Sequence, residues 1–467
     1  MFSSAAVRKR AASTPAASAP KKQKLRAIVG DVQAGKTAAI LRDIAATPNL
    51  CLVIVRNVGP DVRQFMNACN RAGMPAITLS SDRKVQSLGC CALEAPRVVV
   101  LLANSINVRK AVKLLDAVRS PPFTLFVDEA DKIAFSTEPS ERSFRAELER
   151  LQARATEQVL VTATMFNFMT LPEVGGALRA ADVDVLTPSD AYCGIRDIRF
   201  GDHTIDGATE DPAASCYIPE AEIGCDHPSQ PRAPESLERW LRGLRTAERP
   251  PGHPVFALAR MGNKLDTIFE IARAARRVDL RILPVVYTGD GVAVPTRFLE
   301  YMEDRGRPLA AKRYKKLATF SLLDLPLQQF LSAVKDSRLL GDDCPLLVCA
   351  GVLAARGVNF ADSTYSWALT HEYFLPAAST NVTELQQAMR VLGNKPWPLS
   401  DFRPVLTTKH SVMRNIAVGA DVQTRAIDAL RSGGKSLRAA TAEVEVDERP
   451  TVRYAANMVI GSVKTAL

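Results

Sequence analysis

From residue 25 onward, short apolar runs alternate with stretches whose apolar positions recur every three or four residues, which predicts strands alternating with amphipathic helices. The runs at 25–29, 50–55, 98–102, 123–127 and 158–161 read as strands, and 36–46, 62–72, 108–118 and 143–153 as the helices between them. This is the pattern of parallel βαβ units, so residues 25–170 are expected to form one doubly wound α/β domain. Residues 171–235 are rich in Pro, Gly, Asp and Ala without a clear period and read as a linker with an irregular insertion. A second alternating block occupies 236–412, with strands at 255–258, 283–287, 346–349 and 365–370 and helices at 264–277, 327–334 and 382–391. Residues 413–467 are a mixed C-terminal extension suited to packing on either domain, and no internal repeat of 20–50 residues is visible.

With 467 residues, 47% of them hydrophobic, the chain can bury two or three cores. It holds no run of 18 apolar residues, which argues against a membrane span and against a membrane partner. The net charge of +10 suggests a nucleic-acid binder until it is partitioned. Arg8, Lys9, Arg10, Lys21, Lys22, Lys24 and Arg26 fall in residues 1–30, where there is no acid, leaving 53 bases against 50 acids, or +3, elsewhere. Residues 1–24 are Ala, Ser, Pro and base with little to bury, and are expected to be a disordered basic tail. Within it, Lys9-Arg10 and the Lys21, Lys22, Lys24 cluster have the two-patch spacing of a bipartite nuclear signal, suited to the acidic grooves of an import receptor. An organellar transit segment and a plain solvated tail share that composition, so a nuclear location stands beside cytoplasmic and organellar alternatives. Nine scattered cysteines, an odd number, fit a reducing compartment. Cys193, His203, Cys216, Cys225 and His227 share one polar stretch, but none of their spacings is a C-x2-C or H-x3-H pair, and ordinary free thiols are the simpler reading than zinc.

The chemistry lies in two short motifs. Gly30-Asp31-Val32-Gln33-Ala34-Gly35-Lys36-Thr37 follows a strand and opens a helix, the context that a G-x4-G-K-[ST] phosphate loop requires. Its backbone amides, from Gly30, Gln33, Ala34 and Gly35 onward, would wrap phosphates at a helix N-terminus; Lys36 would reach the β and γ oxygens of ATP, and the Thr37 hydroxyl would ligate Mg²⁺. Ninety-two residues after Lys36, the apolar run 123–127 ends in Asp128-Glu129-Ala130-Asp131, which sets two carboxylates at the edge where open α/β sheets hold ligands. Asp128 is expected to order Mg²⁺, and Glu129 to act as general base on the attacking water.

Taken in order, GDVQAGKT, Asp128 to Asp131, and Thr162-Ala163-Thr164 resemble motifs I, II and III of superfamily 2 helicases. In the second block, His253 to Leu258 and Val286 to Gly291 look like the strands around motif IV, Ala355 to Phe360 like motif V, and Gln386-Gln387-Ala388-Met389-Arg390 like motif VI. The resemblance implies two RecA-like P-loop domains of α/β class with ATP in the cleft between them. It implies a catalytic role for Gln386 and Arg390, the latter as an arginine finger, and nucleotide contacts from Gly357 and Asn359. Closure of the cleft would grip nucleic acid, and hydrolysis would release it. The sequence departs from the DEAD-box branch, which reads adenine through an aromatic and a Gln upstream of the phosphate loop, where this chain has its tail. Gly393 stands where the family usually has a second Arg, and Asn359 where motif V often has Asp. The form RGVNF with QQAMRVLG is more similar to helicases of large eukaryotic DNA viruses.

Arg305, Arg307, Lys312, Arg313, Lys315 and Lys316 surround Tyr314, which suits either a base-stacking nucleic-acid groove or a solvated basic face. His371 and Glu372 read as a polar turn after the strand at 365–370. The function expected is an ATP-dependent helicase or translocase on DNA or RNA, with a packaging-type motor or a nucleotide-binding scaffold as alternatives.

Overall fold

The structure, a computed structural model, describes residues 24–31, 34–57, 59–79, 98–117, 122–133, 142–163, 178–201, 203–204, 216–222, 232–262, 264–338, 340, 344–351, 354, 360–376, 382–397 and 401–433. Its first unit is a seven-stranded, wholly parallel sheet in the order β3-β4-β2-β5-β6-β1-β7. The strands are β1 (Lys24–Val29), β2 (Leu50–Val55), β3 (Ala76–Leu79), β4 (Val98–Leu102), β5 (Phe123–Val127), β6 (Glu157–Thr162) and β7 (Val183–Val185). Helices α1 (Lys36–Ala46), α2 (Gly59–Arg71), α3 (Ser105–Ala117), α4 (Ala130–Ile133) and α5 (Arg142–Gln152) run between them. Successive strand residues face opposite ways, so each strand feeds two cores. Ala27, Val29 and Leu52 pack towards α3 and α5 through Leu115 and Leu148, while Ile28, Val53 and Phe126 pack towards α1 and α2 through Ile40, Ile44 and Phe65. Each such buried side chain contributes roughly 1.5–3 kcal/mol.

The second unit is a ten-stranded sheet ordered β10-β9-β19-β17-β11-β16-β12-β13-β15-β14. Its strands are β9 (Arg199–Phe200), β10 (His203–Thr204), β11 (Phe256–Arg260), β12 (Leu283–Thr288), β13 (Gly291–Pro295), β14 (Ala311–Arg313), β15 (Phe320–Leu323), β16 (Leu346–Ala350), β17 (His371–Phe374) and β19 (Val405–Thr407). The six from β9 to β12 are parallel, and β13, β15 and β14 continue the sheet antiparallel. Its helices are α6 (Glu235–Gly243), α7 (Leu265–Val278), α8 (Thr296–Asp304), α9 (Leu327–Ser337), α10 (Val382–Ala388) and α11 (His410–Gly433). A separate ladder pairs β8 (Tyr192–Cys193) with β18 (Gly393–Asn394). The chain is therefore an α/β protein of two sheet units, the class expected from its alternating pattern.

Three details differ from the pattern reading. Lys24, counted with the tail, is the first residue of β1, in register with Glu157 and ion-paired to it at 3.2 Å. Residues 365–370 are not a strand, because the Asp362 carboxylate takes the amides of Ser366 and Trp367 at 2.7 and 2.8 Å and withdraws them from any ladder. The strand is instead His371–Phe374, and His371 and Glu372, expected in a polar turn, are buried in the middle of the sheet. Within the stretch read as a linker, β7 extends the first sheet, whereas β9 and β10 extend the second. Helix α11 touches both units: Val412, Met413 and Ile416 are buried in the second core, and Val418, Ile427 and Ala429 pack on the first. Among the described residues, no helix is long and apolar enough to cross a membrane.

Candidate nucleotide site

At the end of β1 the Gly30 amide donates to the Thr162 carbonyl of β6 at 3.3 Å, and the loop then leads into α1. Gly35 sits at φ +89°, a left-handed conformation that a glycine reaches without a Cβ clash, directly in front of Lys36. A Cβ on Gly30 would lie 3.0 Å from Leu186 Cδ1, so the segment after β7 holds the loop from its other side. The result is a helix N-terminus, with its donors and the positive end of its dipole, at the C-terminal edge of a parallel sheet. The Lys36 ammonium donates to the Asp31 carbonyl at 2.8 Å and lies 3.4 Å from that of Gly30. Burial lowers its pKa, opposed by the carboxylates of Glu129, Asp128 and Asp31.

Only β6 separates β1 from β5, which delivers the two carboxylates to the same edge. The Asp128 amide donates to the Ile54 carbonyl at 2.9 Å, and Asp128 Oδ1 accepts the Glu129 amide at 3.0 Å. Glu129 has φ +52°, a left-handed backbone for a non-glycine residue, and such strain costs on the order of 1 kcal/mol. Desolvation, and then the adjoining Glu129 carboxylate, push the Asp128 pKa up to about 7, with Lys36 pulling it down. Thr37 and Asp128 line the same cavity, and a hydroxyl and a carboxylate are oxygen donors of the kind a magnesium ion takes together with phosphate and water.

Arg390 arrives from the second unit. The sequence predicts a helix to residue 391, but α10 ends at Ala388. The amides of Arg390 and Val391, which would bond back to the carbonyls of Gln386 and Gln387 in a continued helix, are taken by Glu372 Oε2 at 2.7 and 3.0 Å. Glu372 lies 3.8 Å from Arg260, which stacks over Phe374 at 5.0 Å and donates to the Ala388 carbonyl at 2.6 Å. A buried carboxylate and a buried guanidinium thus fix the backbone on both sides of Met389. One cavity of about 610 Å³ collects Lys36, Thr37, Asp128 and Glu129 from the first unit with Gln387 and Arg390 from the second.

Gln386, expected to be catalytic, does not line that cavity; α10 turns it into a second one, and Gln387 takes the place beside Arg390. One residue along a helix rotates the side chain by about 100°. Gln33, Gly357 and Asn359 lie outside the described residues, as do Thr164, Cys225, His227 and the basic positions before Lys24. Arg56 and Asp61, not expected from the sequence, line the cavity as a two-point ion pair at 2.7 and 3.1 Å. The signal was a charged residue directly after the apolar run of β2, at the ligand-holding edge. Tyr314 is no stacking platform: it is buried, its hydroxyl donates to Asp290 at 3.0 Å, and its ring meets Phe269 edge-on at 6.1 Å. Gly393 has φ +107°, where an arginine would be strained. Among the described residues, no cluster of three or more His, Cys, Asp or Glu side chains forms an all-protein metal site, which leaves phosphate and water to complete any magnesium shell at Thr37 and Asp128.

No protein-family model and no curated protein matches the chain. Among solved structures, it is similar to S. cerevisiae Dbp5 bound to RNA and ADP BeF3, at 12% identity, over 89% of each chain, with a TM-score of 0.43. It is also similar to the Mycobacterium smegmatis helicase Lhr bound to ssDNA and AMP-PNP, at 13% identity and a TM-score of 0.40, covering 88% of this chain and 49% of that one. The chain thus spans about half the length of Lhr. Neither likeness assigns a role to any residue here.

Proposed function

We propose that the chain is a nucleic-acid-dependent ATPase that acts as a helicase or translocase. One observation carries this: Lys36, Thr37, Asp128 and Glu129 face Arg390 of the other unit across a single cleft. The loop amides and Lys36 would hold the β and γ phosphates of ATP, and Glu129 would accept the proton of the attacking water. Thr37 and Asp128 would hold Mg²⁺, whose chemistry when bound is to neutralise charge on the phosphate oxygens. Arg390 would complete the site only when the units close, stabilising charge that develops on the γ-phosphoryl group and coupling turnover to domain movement. The exposed Lys312, Arg313 and Lys315 offer nucleic-acid phosphates a contact.

A packaging-type motor with one nucleotide-binding unit would have no use for Arg390, and its placement in the cleft favours the two-unit reading. The test is ATP turnover of the full chain with and without single-stranded DNA or RNA. Stimulation by nucleic acid, lost in both Lys36→Ala and Arg390→Ala, is the expected result; turnover indifferent to Lys36 would overturn the reading. For the tail we propose nuclear import through Lys9, Arg10, Lys21 and Lys22, tested by locating a chain that lacks residues 1–23.

A further inference from the structure

The phosphate cleft is bordered on the β5 side by the carboxylates and on the other side, past β1, by β7. A second cavity of about 440 Å³ opens there, walled by Asp31 of the phosphate loop, by Leu186 and Tyr192, by Met389, and by Ile427 of α11. Ala163 lines both cavities, so they adjoin behind the loop. The first is lined by Arg56, Asp61, Asp128, Glu129 and Arg390, groups suited to phosphate, metal and water. The second sets apolar Leu186, Met389 and Leu392 among charged Arg196, Asp197 and Arg431, and adds two carboxamides, Gln386 and Gln423. A carboxamide sets a donor and an acceptor side by side, the pair that meets the amino group and adjacent ring nitrogen of adenine. Gln423 also touches the phosphate loop, donating from Nε2 to Asp31 Oδ1 at 3.2 Å. Its helix is anchored in both cores, which gives the contact a fixed place.

The geometry points to the second cavity as the nucleoside subsite of the ATPase, with Gln423 of the C-terminal helix, helped by Gln386, as the residue that selects adenine. This rests on the proposed ATPase activity. It gives base reading to the C-terminal helix, whose Gln423 lies 392 residues after Asp31 of the phosphate loop.

The test compares ATP, GTP, CTP and inorganic tripolyphosphate as Mg²⁺-dependent substrates of the full chain and of Gln423→Ala and Gln386→Ala. The wild type is expected to favour ATP over GTP. Gln423→Ala should raise KM for ATP about tenfold, close to its value for GTP, and leave tripolyphosphate hydrolysis unchanged. Loss of ATP and tripolyphosphate turnover together would mean that Gln423 only braces Asp31, and would overturn base reading. So would an unaltered ATP-to-GTP ratio in both variants. A wild type that hydrolyses none of the four would instead remove the ATPase reading itself, an outcome distinct from the others. If Gln423→Ala does not fold, Gln423→Glu keeps the shape, reverses the donor, and is expected to erode the preference for ATP in the same way.

Discussion

The Glu372 carboxylate accepts the backbone amide of Arg390 at 2.7 Å, joining the middle of a strand to the residue that faces the phosphate loop across the cleft. If Glu372 acts by placing Arg390, then Glu372→Gln should lower kcat about tenfold with KM for ATP little changed, since misplacement of a charge-stabilising group by 1 Å can cost about a hundredfold. A double-mutant cycle checks it: Glu372→Gln added to Arg390→Ala should slow turnover no further, and additive losses would show that Glu372 serves only the fold.

Glu129→Gln should leave the fold and ATP binding intact while kcat falls by roughly 10²–10⁴, the range for removal of a general base. Lys36→Ala should weaken nucleotide binding as well. Equilibrium binding of ATP beside steady-state rates separates the two, and a Glu129→Gln enzyme of near-normal rate would transfer the base role elsewhere.

His253 links the chain entering β11 to the segment ahead of β17. Its Nε2 accepts the Ala368 amide at 3.1 Å, which leaves the proton on Nδ1, 2.7 Å from the Pro254 carbonyl. Burial lowers its pKa to about 4, so the folded chain holds it neutral. His371, likewise buried, is lowered to about 3. Both contributions to stability are complete above the unfolded value near 6.5 and fade as pH falls below it, at about 1.4 kcal/mol per unit for each group. Unfolding free energies from urea titrations at pH 7.5 and 5.0 should differ accordingly, by about 2 kcal/mol from His253 alone. In His253→Asn the loss should shrink; an unchanged pH slope would rule out His253 as a source.

Tyr314→Ala should destabilise the second unit by about 3 kcal/mol through its lost packing, without a specific loss of nucleic-acid affinity. Replacing Lys312, Arg313 and Lys315 with Ser should instead leave stability nearly unchanged and reduce the salt dependence of single-strand binding by about two units in the log–log slope. Titrations of an oligonucleotide at several salt concentrations check both.

The contrast between Lys36 and Glu372 shows which features the sequence makes legible. Glycines, lysine, strand and helix all lie within a few residues of Lys36, so the phosphate loop can be read locally, as can the carboxylates after β5. Glu372 gives no local sign of burial, because Arg260 and the amides that satisfy it are 112, 18 and 19 residues away. The end of α10 was hidden for the same reason. Strands β7 and β9, of three and two residues, are too short to show a period, and neighbouring strands alone make them part of a sheet. Tyr314 looked like a platform because its charged neighbours are adjacent in sequence, while Phe269 and Asp290, which enclose it, are not.

The sheet order also fixes a sequence of events as the chain leaves the ribosome. Every strand of the first sheet lies between residues 24 and 185, so that half can fold while the rest is still being made. The second sheet has to wait, because Arg199 in β9 finds its partner only at Val405 in β19, a loop closure that must precede the contacts that reward it. Helix α11 follows the second sheet and packs on both halves. A chain stalled before residue 405 would carry the phosphate loop and carboxylate pair on a complete first sheet while the second still lacked β19.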